Sequence, residues 1–391
     1  MTISATNAPD TEMTTTSLRM ASLSAPARNA LSTNRMKIEQ EANMLFTSEQ
    51  VSHGHPDKIC DQISDAILTD CLTHDRNSRV AVEALIKDNH ITLAGEITSR
   101  HIPNYQAIVQ HQLAQHEPQI ADSFVLTQHI SRQSSDIAQG VDRKGAGDQG
   151  MMFGYACKET TEMLPLPFAL ATKAIEILEG SNHPALLPDA KAQVTYDYKN
   201  NRIDTFLIST QHVPDVPPAY LAQLVHYVMK AAAREYSQNE VFHFLINPTG
   251  RFVNGGSFAD TGVTGRKIIA DTYGGACRHG GGAFSGKDPT KVDRSGAYMA
   301  RKIAKDILRY GLAGRCEVQL AYAIGVEEPV SISVETFKTS KVPNSYLVRW
   351  IREHYDLTPN GIISFLHLRD IDYTKTASLG HFWRQNLPWE K

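Results

Sequence analysis

Hydrophobic and polar residues alternate along three pairs of short segments in this chain, and each pair predicts a β-hairpin. In the first pair, the two segments flank an Asp88-Asn89 turn. Because that turn has only two residues, Lys87 pairs with His90 and the register of the hairpin is set. The predicted pairs are Arg79–Lys87 with His90–Ile97, Lys191–Lys199 with Arg202–Thr210 about an Asn200-Asn201 turn, and Arg315–Gly325 with Ser331–Phe337.

Helical periodicity occupies the stretches between these hairpins. One helix is predicted to open at His55-Pro56-Asp57, because proline suits the first helical turn and isoleucines recur every four residues from Ile59. The other predicted helices are Pro167–Glu179, Ala219–Tyr236 and Val292–Tyr310. A hairpin with its helices thus occurs three times, which predicts an α+β fold of three similar hairpin-plus-helix domains.

We predict domain boundaries from this repeat. Residues 1–43 are expected to be a disordered N-terminal extension, and residues 44–136 an N-terminal α+β domain. Residues 137–254 are expected to hold a mobile loop and a central domain, and residues 255–391 a C-terminal domain with a glycine-rich phosphate loop.

The register of the first hairpin also separates its side chains into two faces. Apolar residues such as Val82 and Leu93 share one face, and Glu83 and Glu96 form a diagonal pair on the other. Two acids on one sheet face could bind a cation. A solvated outer face is the alternative, and the pattern by itself favours that alternative.

Composition excludes several classes of protein. The chain has 391 residues and a formal net charge of −3, so the charge balance does not indicate electrostatic binding of nucleic acid. Apolar runs stay short of the roughly 18 residues that a membrane span requires. The five cysteines are scattered without a Cys-x-x-Cys pair, which argues against disulfides or a zinc knuckle and favours a reducing, cytoplasmic compartment.

The N-terminal extension has a composition of its own. Thr14–Arg35 is rich in Ser, Thr and Ala, contains three arginines and lacks acids, which is loosely typical of a transit peptide. A disordered tail, or a start codon upstream of Met36 or Met44, explains the same stretch, and these alternatives are favoured.

A glycine-rich run at Gly280–Gly286, followed by Lys287, is the strongest chemical signal. Glycines let backbone N–H groups approach phosphate oxygens, and a lysine adds positive charge. A P-loop would need Ser or Thr next, whereas this chain has Asp288 and then Pro289. We interpret the run as a phosphate-binding loop of another kind; a flexible turn is the alternative, and it fits poorly with the charges that follow.

Two further features indicate an anionic ligand with a metal. His53–Lys58 contains two histidines, which could bind a metal or contact an anion at the helix N-terminus, and Asp57, which suits Mg²⁺. Basic residues also stand beside glycine turns at Arg251 and at Arg266-Lys267. Together with Lys191 and Lys287, they favour a triphosphate.

The stretch Ser134–Gly154 has five glycines and few apolar residues before Met151. Such a stretch is either a linker or a functional loop, and its charged residues, including Asp148, favour a mobile functional loop.

Taken together, these motifs resemble the S-adenosylmethionine synthetase (methionine adenosyltransferase) family from about Leu45 to Trp389. The matching segments are Phe46-Thr47-Ser48-Glu49, Gly54–Ile59, Gly145–Gly150 and the glycine-lysine loop at 280–288. The resemblance implies three α+β domains about a pseudo-threefold axis, and active sites between subunits of a homodimer or tetramer. It implies that methionine sulfur attacks the 5′ carbon of ATP and that the released tripolyphosphate is hydrolysed to pyrophosphate and phosphate.

The resemblance also implies roles for individual residues. The catalytic positions are His55, Lys191 and Arg266. The ATP-binding positions are His55, Asp189, Lys191, Arg251, Phe252, Asp260, Arg266, Lys267, Ala283 and Lys287, and the methionine-binding positions are Glu96, Gln133, Asp260 and Lys291. Two Mg²⁺ ions would be held by Asp57 and Asp293, and K⁺ by Glu83.

The chain departs from the family at two places inside these motifs. His53 stands where the family usually has Glu, and the mobile loop is shorter than usual between Arg143 and Gly145.

Two other functions fit part of the sequence. An ATP hydrolase or kinase with a variant phosphate loop would explain the cations, but not the missing Ser or Thr. A non-catalytic nucleotide-binding regulator would be expected to have lost catalytic positions, and His55, Lys191 and Lys287 are present.

Overall fold

The structure, a computed structural model, describes residues 45–132 and 145–391. Its strands are β1 Leu45–Val51, β2 Arg79–Lys87, β3 His90–Thr98, β4 Val125–Ser131, β5 Gly150–Cys157, β6 Leu186–Asp197, β7 Arg202–His212, β8 His243–Ile246, β9 Gly262–Val263, β10 Arg315–Tyr322 and β11 Ser331–Glu335. Its α-helices are α1 Pro56–His74, α2 Tyr105–His116, α3 Leu166–Gly180, α4 Pro218–Glu235, α5 Gly256–Ala259, α6 Val292–Arg309, α7 Asn344–His354 and α8 Pro359–Phe365.

These elements form three sheets of the same design. Each sheet is built on one of the predicted hairpins: β2-β3, β6-β7 and β10-β11. The first two sheets also carry a parallel strand, β4 beside β3 and β8 beside β7, that follows a helix. The predicted α+β fold of three similar hairpin-plus-helix units is therefore confirmed.

Each sheet takes one further strand from a different part of the chain. The sheet orders are β4-β3-β2-β9, β8-β7-β6-β1 and β11-β10-β5. Strand β1 precedes the first hairpin but pairs with β6, β5 precedes the second hairpin but pairs with β10, and β9 pairs back with β2. Because strands are exchanged in this way, no sheet consists of one continuous segment, and the boundaries near residues 136 and 254 stay a prediction.

The first hairpin has the predicted register. Lys87 pairs with His90, and Asp88 has a φ of +52° in the two-residue turn. Val80, Val82, Ala84, Ile86, Ile91 and Leu93 are all buried, whereas Glu83 and Glu96 are exposed on the other face. Hydrophobic alternation and the short turn were sufficient to predict this register, because both act between residues that are near neighbours in the chain.

The second hairpin differs from its prediction. Its first strand ends at Asp197, which pairs with Arg202, so the turn has four residues instead of two. The carboxylate of Asp197 accepts hydrogen bonds from the backbone N–H groups of Lys199 and Asn200. This Asx-type turn draws Lys199 out of the strand, an effect that hydrophobic alternation does not record.

The glycine-rich stretch predicted as a loop is partly a strand. Residues 134–144 lie outside the described residues, as does Gln133, but β5 begins at Gly150 and pairs along its whole length with β10. In the third hairpin, β10 ends at Tyr322 and β11 at Glu335, each slightly before the predicted end.

The core lies between the inner faces of the sheets and the first helix of each unit. Helices α1, α3 and α6 are buried over most of their length, whereas only a minority of the residues of α2, α4 and α7 are buried. Cys60, Cys71 and Cys316 are buried and carry free thiols, as expected for small core residues. No helix in the described part of the chain has the length and apolarity needed to cross a membrane.

Candidate active site

His55 lies at the N-terminus of α1, where the site begins. The ring is buried, and its Nδ1 accepts a hydrogen bond from the backbone N–H of Asp57 at 3.1 Å. Burial, together with the nearby ammonium groups of Lys267 and Lys191, lowers the pKa of His55 to about 3. The imidazole is therefore neutral near pH 7, and because Nδ1 is an acceptor, Nε2 carries the proton.

Asp57, in the first turn of α1, is fully buried and is held by the end of β9 and the loop that follows it. One carboxylate oxygen accepts the backbone N–H of Val263 at 2.9 Å, and the other pairs with Lys267 Nζ at 2.5 Å. Arg266 Nε lies 3.7 Å from the same carboxylate. The predicted metal ligand and two predicted phosphate-binding cations are thus in contact.

Three more predicted residues surround this pair. Lys191 on β6 is exposed and pairs with Val51. Val51 is the last residue of β1, just before the turn that leads to His55. Asp189 is buried and accepts the backbone N–H of Gly256 at 2.9 Å, and burial raises the pKa of its carboxyl group. Asp260 is exposed after α5 and acts electrostatically on His55. We call His55, Asp57, Asp189, Lys191, Asp260, Arg266 and Lys267 the first cluster.

A second cluster surrounds the N-terminus of α6. Lys287 Nζ pairs with Asp293 at 2.6 Å, and Lys291 Nζ pairs with Asp288 at 2.6 Å. Asp293 stands in the first turn of α6, as Asp57 does in α1. The glycine loop runs directly over Asp293, because a Cβ at Gly282 would lie 2.3 Å from a carboxylate oxygen. We call Lys287, Asp288, Lys291 and Asp293 the second cluster.

Three buried aspartates on α1 determine where both clusters lie. Asp57, Asp61 and Asp65 follow each other at intervals of four residues, so they share one side of the helix. They accept the backbone N–H groups of Val263, Gly265 and Gly286 at 2.9, 2.8 and 2.9 Å. This aspartate row therefore fixes the loop of the first cluster and the glycine loop of the second against one helix.

Buried cations balance the charge of the aspartate row. Lys58 Nζ donates hydrogen bonds to Asp61 at 3.0 Å and to Asp271 at 2.5 Å. The guanidinium of Arg294 donates one hydrogen bond to each carboxylate oxygen of Asp65, both at 2.8 Å. Although burial acts to lower the pKa of Lys58, the two carboxylates raise it, so the ammonium stays charged. Asp61, Asp65 and Arg294 are not among the predicted site residues; the four-residue spacing of the acids was the available signal.

Within one copy of the chain, the backbone segments that carry the two clusters meet strand β2 at different points. Lys287 bridges to Ala81 on β2, whereas Val263 pairs with Leu85 on the same strand. Four residues of strand span about 13 Å. Lys287 shares the outer face of the first sheet with Glu83 and Glu96, because Ala81 also pairs with Glu96. Helix α1 packs on the opposite, buried face.

The remaining predicted residues lie near one cluster or the other. Ala283 touches the loop of the first cluster, because a Cβ on Gly265 (φ +78°) would lie 2.5 Å from the Ala283 Cβ. Phe252 exchanges hydrogen bonds with His212 in the segment that leads to Gly256, and Arg251 beside it is exposed. Two cavities, of about 450 and 350 Å³, are lined by residues outside both clusters, and the candidate residue His53 lines the smaller one.

Three family models match this chain. The S-adenosylmethionine synthetase N-terminal, central and C-terminal domains match residues 43–134, 143–252 and 254–391. A metal-dependent transferase fits both the fold and the two clusters of acids and cations. The chain belongs to the S-adenosylmethionine synthetase family. Its activity is that of a methionine adenosyltransferase: it forms S-adenosylmethionine from ATP and L-methionine and hydrolyses tripolyphosphate to pyrophosphate and phosphate.

Beside the first cluster, a buried histidine makes the fold sensitive to acid. His116 is buried against the ring of His53, its nitrogens have no hydrogen-bond partner among the described residues, and burial lowers its pKa to about 3. Unfolding restores a pKa near 6.5, so the unfolded chain binds more protons between pH 6.5 and 3. The free energy of unfolding is therefore highest above pH 6.5, and it falls as the pH is lowered towards 3.

We expect His116→Leu to flatten this dependence. The free energy of unfolding should fall less steeply below pH 6.5, by up to about 1.4 kcal/mol per pH unit for the one group removed. Urea unfolding at a series of pH values measures the slope. The control is His354→Leu, which changes an exposed histidine at the end of α7. Equal slopes for His116→Leu and the wild type would contradict the assignment.

Proposed function

We propose that the first cluster assists departure of tripolyphosphate from the 5′ carbon of ATP while the sulfur of methionine attacks. A neutral thioether needs no general base, so the site has to align the reacting atoms and stabilise charge on the leaving group. The observation that carries this proposal is the neutral His55 ring, protonated at Nε2 and flanked by Lys191 and Lys267. His55 would donate a hydrogen bond to the leaving oxygen, and Lys191 and Arg266 would neutralise the phosphates.

Asp57 and Asp293 would hold two Mg²⁺ ions. Both are carboxylates in the first turn of a helix, and oxygen donors are what Mg²⁺ prefers. Each pairs with a lysine, Lys267 or Lys287. A bound Mg²⁺ ion supplies positive charge to the phosphates. The two lysines, released from their carboxylates, would then pair with phosphate oxygens.

The nucleotide itself would contact the other end of the first cluster. Asp189 Oδ1 is buried without a hydrogen-bond partner among the described residues. An unsatisfied buried acceptor costs roughly 1–3 kcal/mol, so a donor on the ligand would be bound favourably. Arg251, Phe252, Asp260 and Ala283 would complete the ATP site. Glu96, Asp260 and Lys291 would bind methionine, together with Gln133, which lies outside the described residues.

A complete site would need two copies of the chain, in a homodimer or tetramer. Within one copy, the backbone segments that carry the two clusters meet strand β2 four residues, or about 13 Å, apart, so one triphosphate would be bound more completely by clusters from two copies. The exposed outer face of the first sheet, with Glu83, Leu85 and Glu96, would be covered by the second copy. The first cluster of one subunit would then meet the second cluster of its partner.

Glu83 and Glu96 provide a matched pair of variants on this outer face. We expect Glu83→Gln to weaken activation by K⁺, because it removes the proposed ligand charge, and to leave the KM for methionine nearly unchanged. Glu96→Gln should raise the KM for methionine by about tenfold, the loss of one charged hydrogen bond, and leave K⁺ activation intact. Initial rates over a matrix of K⁺ and methionine concentrations separate the two effects. Equal K⁺ dependence in Glu83→Gln and the wild type would remove Glu83 from the cation site.

The overall reaction is tested by a product assay. Purified protein is incubated with ATP, Mg²⁺ and K⁺, with and without methionine, and the products are identified by mass spectrometry. S-adenosylmethionine, pyrophosphate and phosphate should form only with methionine. Formation of ADP without methionine would instead support an ATP hydrolase that uses the same phosphate loop.

A further inference from the structure

Two histidines and an aspartate converge at the C-terminal end of α1. Asp70 and His74 are four residues apart on the last turns of the helix, and His101 comes from the loop after β3. The closest ligand atoms of the three lie within 4.8 Å of one another. The group is remote from the first cluster, because the 15 residues from His55 to Asp70 span about 22 Å of helix.

The distances within this group are close to those of a metal site. His101 Nε2 lies 2.7 Å from Asp70 Oδ2, and His74 Nδ1 lies 3.5 Å from Asp70 Oδ1. Ligands about 2.0–2.1 Å from a tetrahedral zinc ion are roughly 3.3 Å apart. The two imidazole rings are stacked, with centroids 4.0 Å apart. Because His74 Nδ1 also lies 2.9 Å from the carbonyl oxygen of Asp70, the His74 ring would have to turn away from that carbonyl so that both nitrogens point at one ion.

The backbone around the group is already held in position. Arg100 donates its backbone N–H to Asp75 at 3.0 Å, and the Ser78 and Ser99 hydroxyls are 2.7 Å apart. The loop that carries His101 is therefore fixed to the end of α1 before any ion binds. All three side chains are partly exposed, and Asp70 also lines the cavity of about 450 Å³, which gives solvent and ions access.

We propose that Asp70, His74 and His101 form a binding site for a transition-metal ion of the zinc class, separate from the catalytic Mg²⁺. Imidazole and carboxylate together suit Zn²⁺, Co²⁺ or Ni²⁺, whereas Mg²⁺ prefers oxygen ligands alone. Three protein ligands leave a fourth position for water. The bound ion would link the end of α1 to the loop after β3 and stabilise the folded state by mass action.

The alternative is a hydrogen-bonded cluster that binds no ion. Co²⁺ is the probe, because its visible absorption reports coordination geometry, and Zn²⁺ is then titrated against it by calorimetry. Excess Mg²⁺ is present throughout to occupy the carboxylates of the active site. The full-length protein should take up one Co²⁺ with a tetrahedral or five-coordinate spectrum, and Zn²⁺ should displace it and raise the Tm.

Variants locate the site. His101→Ala and His74→Ala should each weaken binding by about tenfold or more, the scale on which metal sites respond to loss of supporting groups. The matched control is His354→Ala, because His354 and His74 both contact the carbonyl of the residue four positions earlier, Nδ1 to O at 2.8 and 2.9 Å. S-adenosylmethionine formation by each variant reports that it is folded. Absence of Co²⁺ uptake, or equal affinity in all four proteins, would overturn the proposal.

Discussion

His55→Ala is expected to lower the rate of S-adenosylmethionine formation by about 100-fold or more, the usual effect of removing one donor that stabilises a developing anion. Hydrolysis of added tripolyphosphate should stay measurable, because the lysines and carboxylates that bind the phosphates are unchanged. Single-turnover assays of the two steps, with ATP affinity measured separately, test this. An equal loss of both steps with ATP binding intact would make His55 a general organiser of the site.

His55 also caps α1, so a loss of helix stability has to be separated from a loss of chemistry. Its Nδ1 accepts the N–H of Asp57, and loss of such a cap costs about 1 kcal/mol. His55→Ser is the control: serine caps helices well but cannot reach the leaving oxygen. We expect it to restore the free energy of unfolding while adenosyl transfer stays low. Recovery of transfer in His55→Ser would show that the cap, and not Nε2–H, is what the reaction needs.

Two inactive variants, each mutated in a different cluster, should complement each other when they assemble into one dimer. Co-expression of His55→Ala with Lys287→Ala should give about a quarter of the wild-type activity. Half of the randomly assembled dimers are mixed, and each mixed dimer combines one intact first cluster with one intact second cluster at one of its two sites. Specific activity of the co-purified protein, compared with each variant alone, measures this.

The matched control pairs two variants within the first cluster. His55→Ala with Lys267→Ala should stay inactive, because every site in the mixed dimer then lacks one of the two side chains. If the cross-cluster pair also failed to recover, with mixed dimers present, each site would be formed within one chain. The proposal of a site shared between copies would then be wrong.

Much of the local structure could be predicted from the sequence. The hairpin at Asp88-Asn89 has the expected register, because alternation and a two-residue turn act between neighbouring residues. The helix at Pro56 also begins where expected. The second hairpin was mispredicted because the side chain of Asp197 bonds to its own turn. Glycines beside lysines indicated a phosphate ligand because that chemistry depends on the residue types themselves.

By itself, then, the sequence determined the three repeated units and the kinds of residue at the site. Tertiary structure decided how the units share strands, because β1, β5 and β9 bond to partners distant in the chain. It also decided that the predicted site residues fall into two clusters, whose backbone segments meet β2 about 13 Å apart. The spacing of Asp57, Asp61 and Asp65 is visible in the sequence, but their backbone partners are brought to α1 only by folding. Hydrophobic periodicity reports which face of an element is buried, and it contains no information on which distant loop packs there.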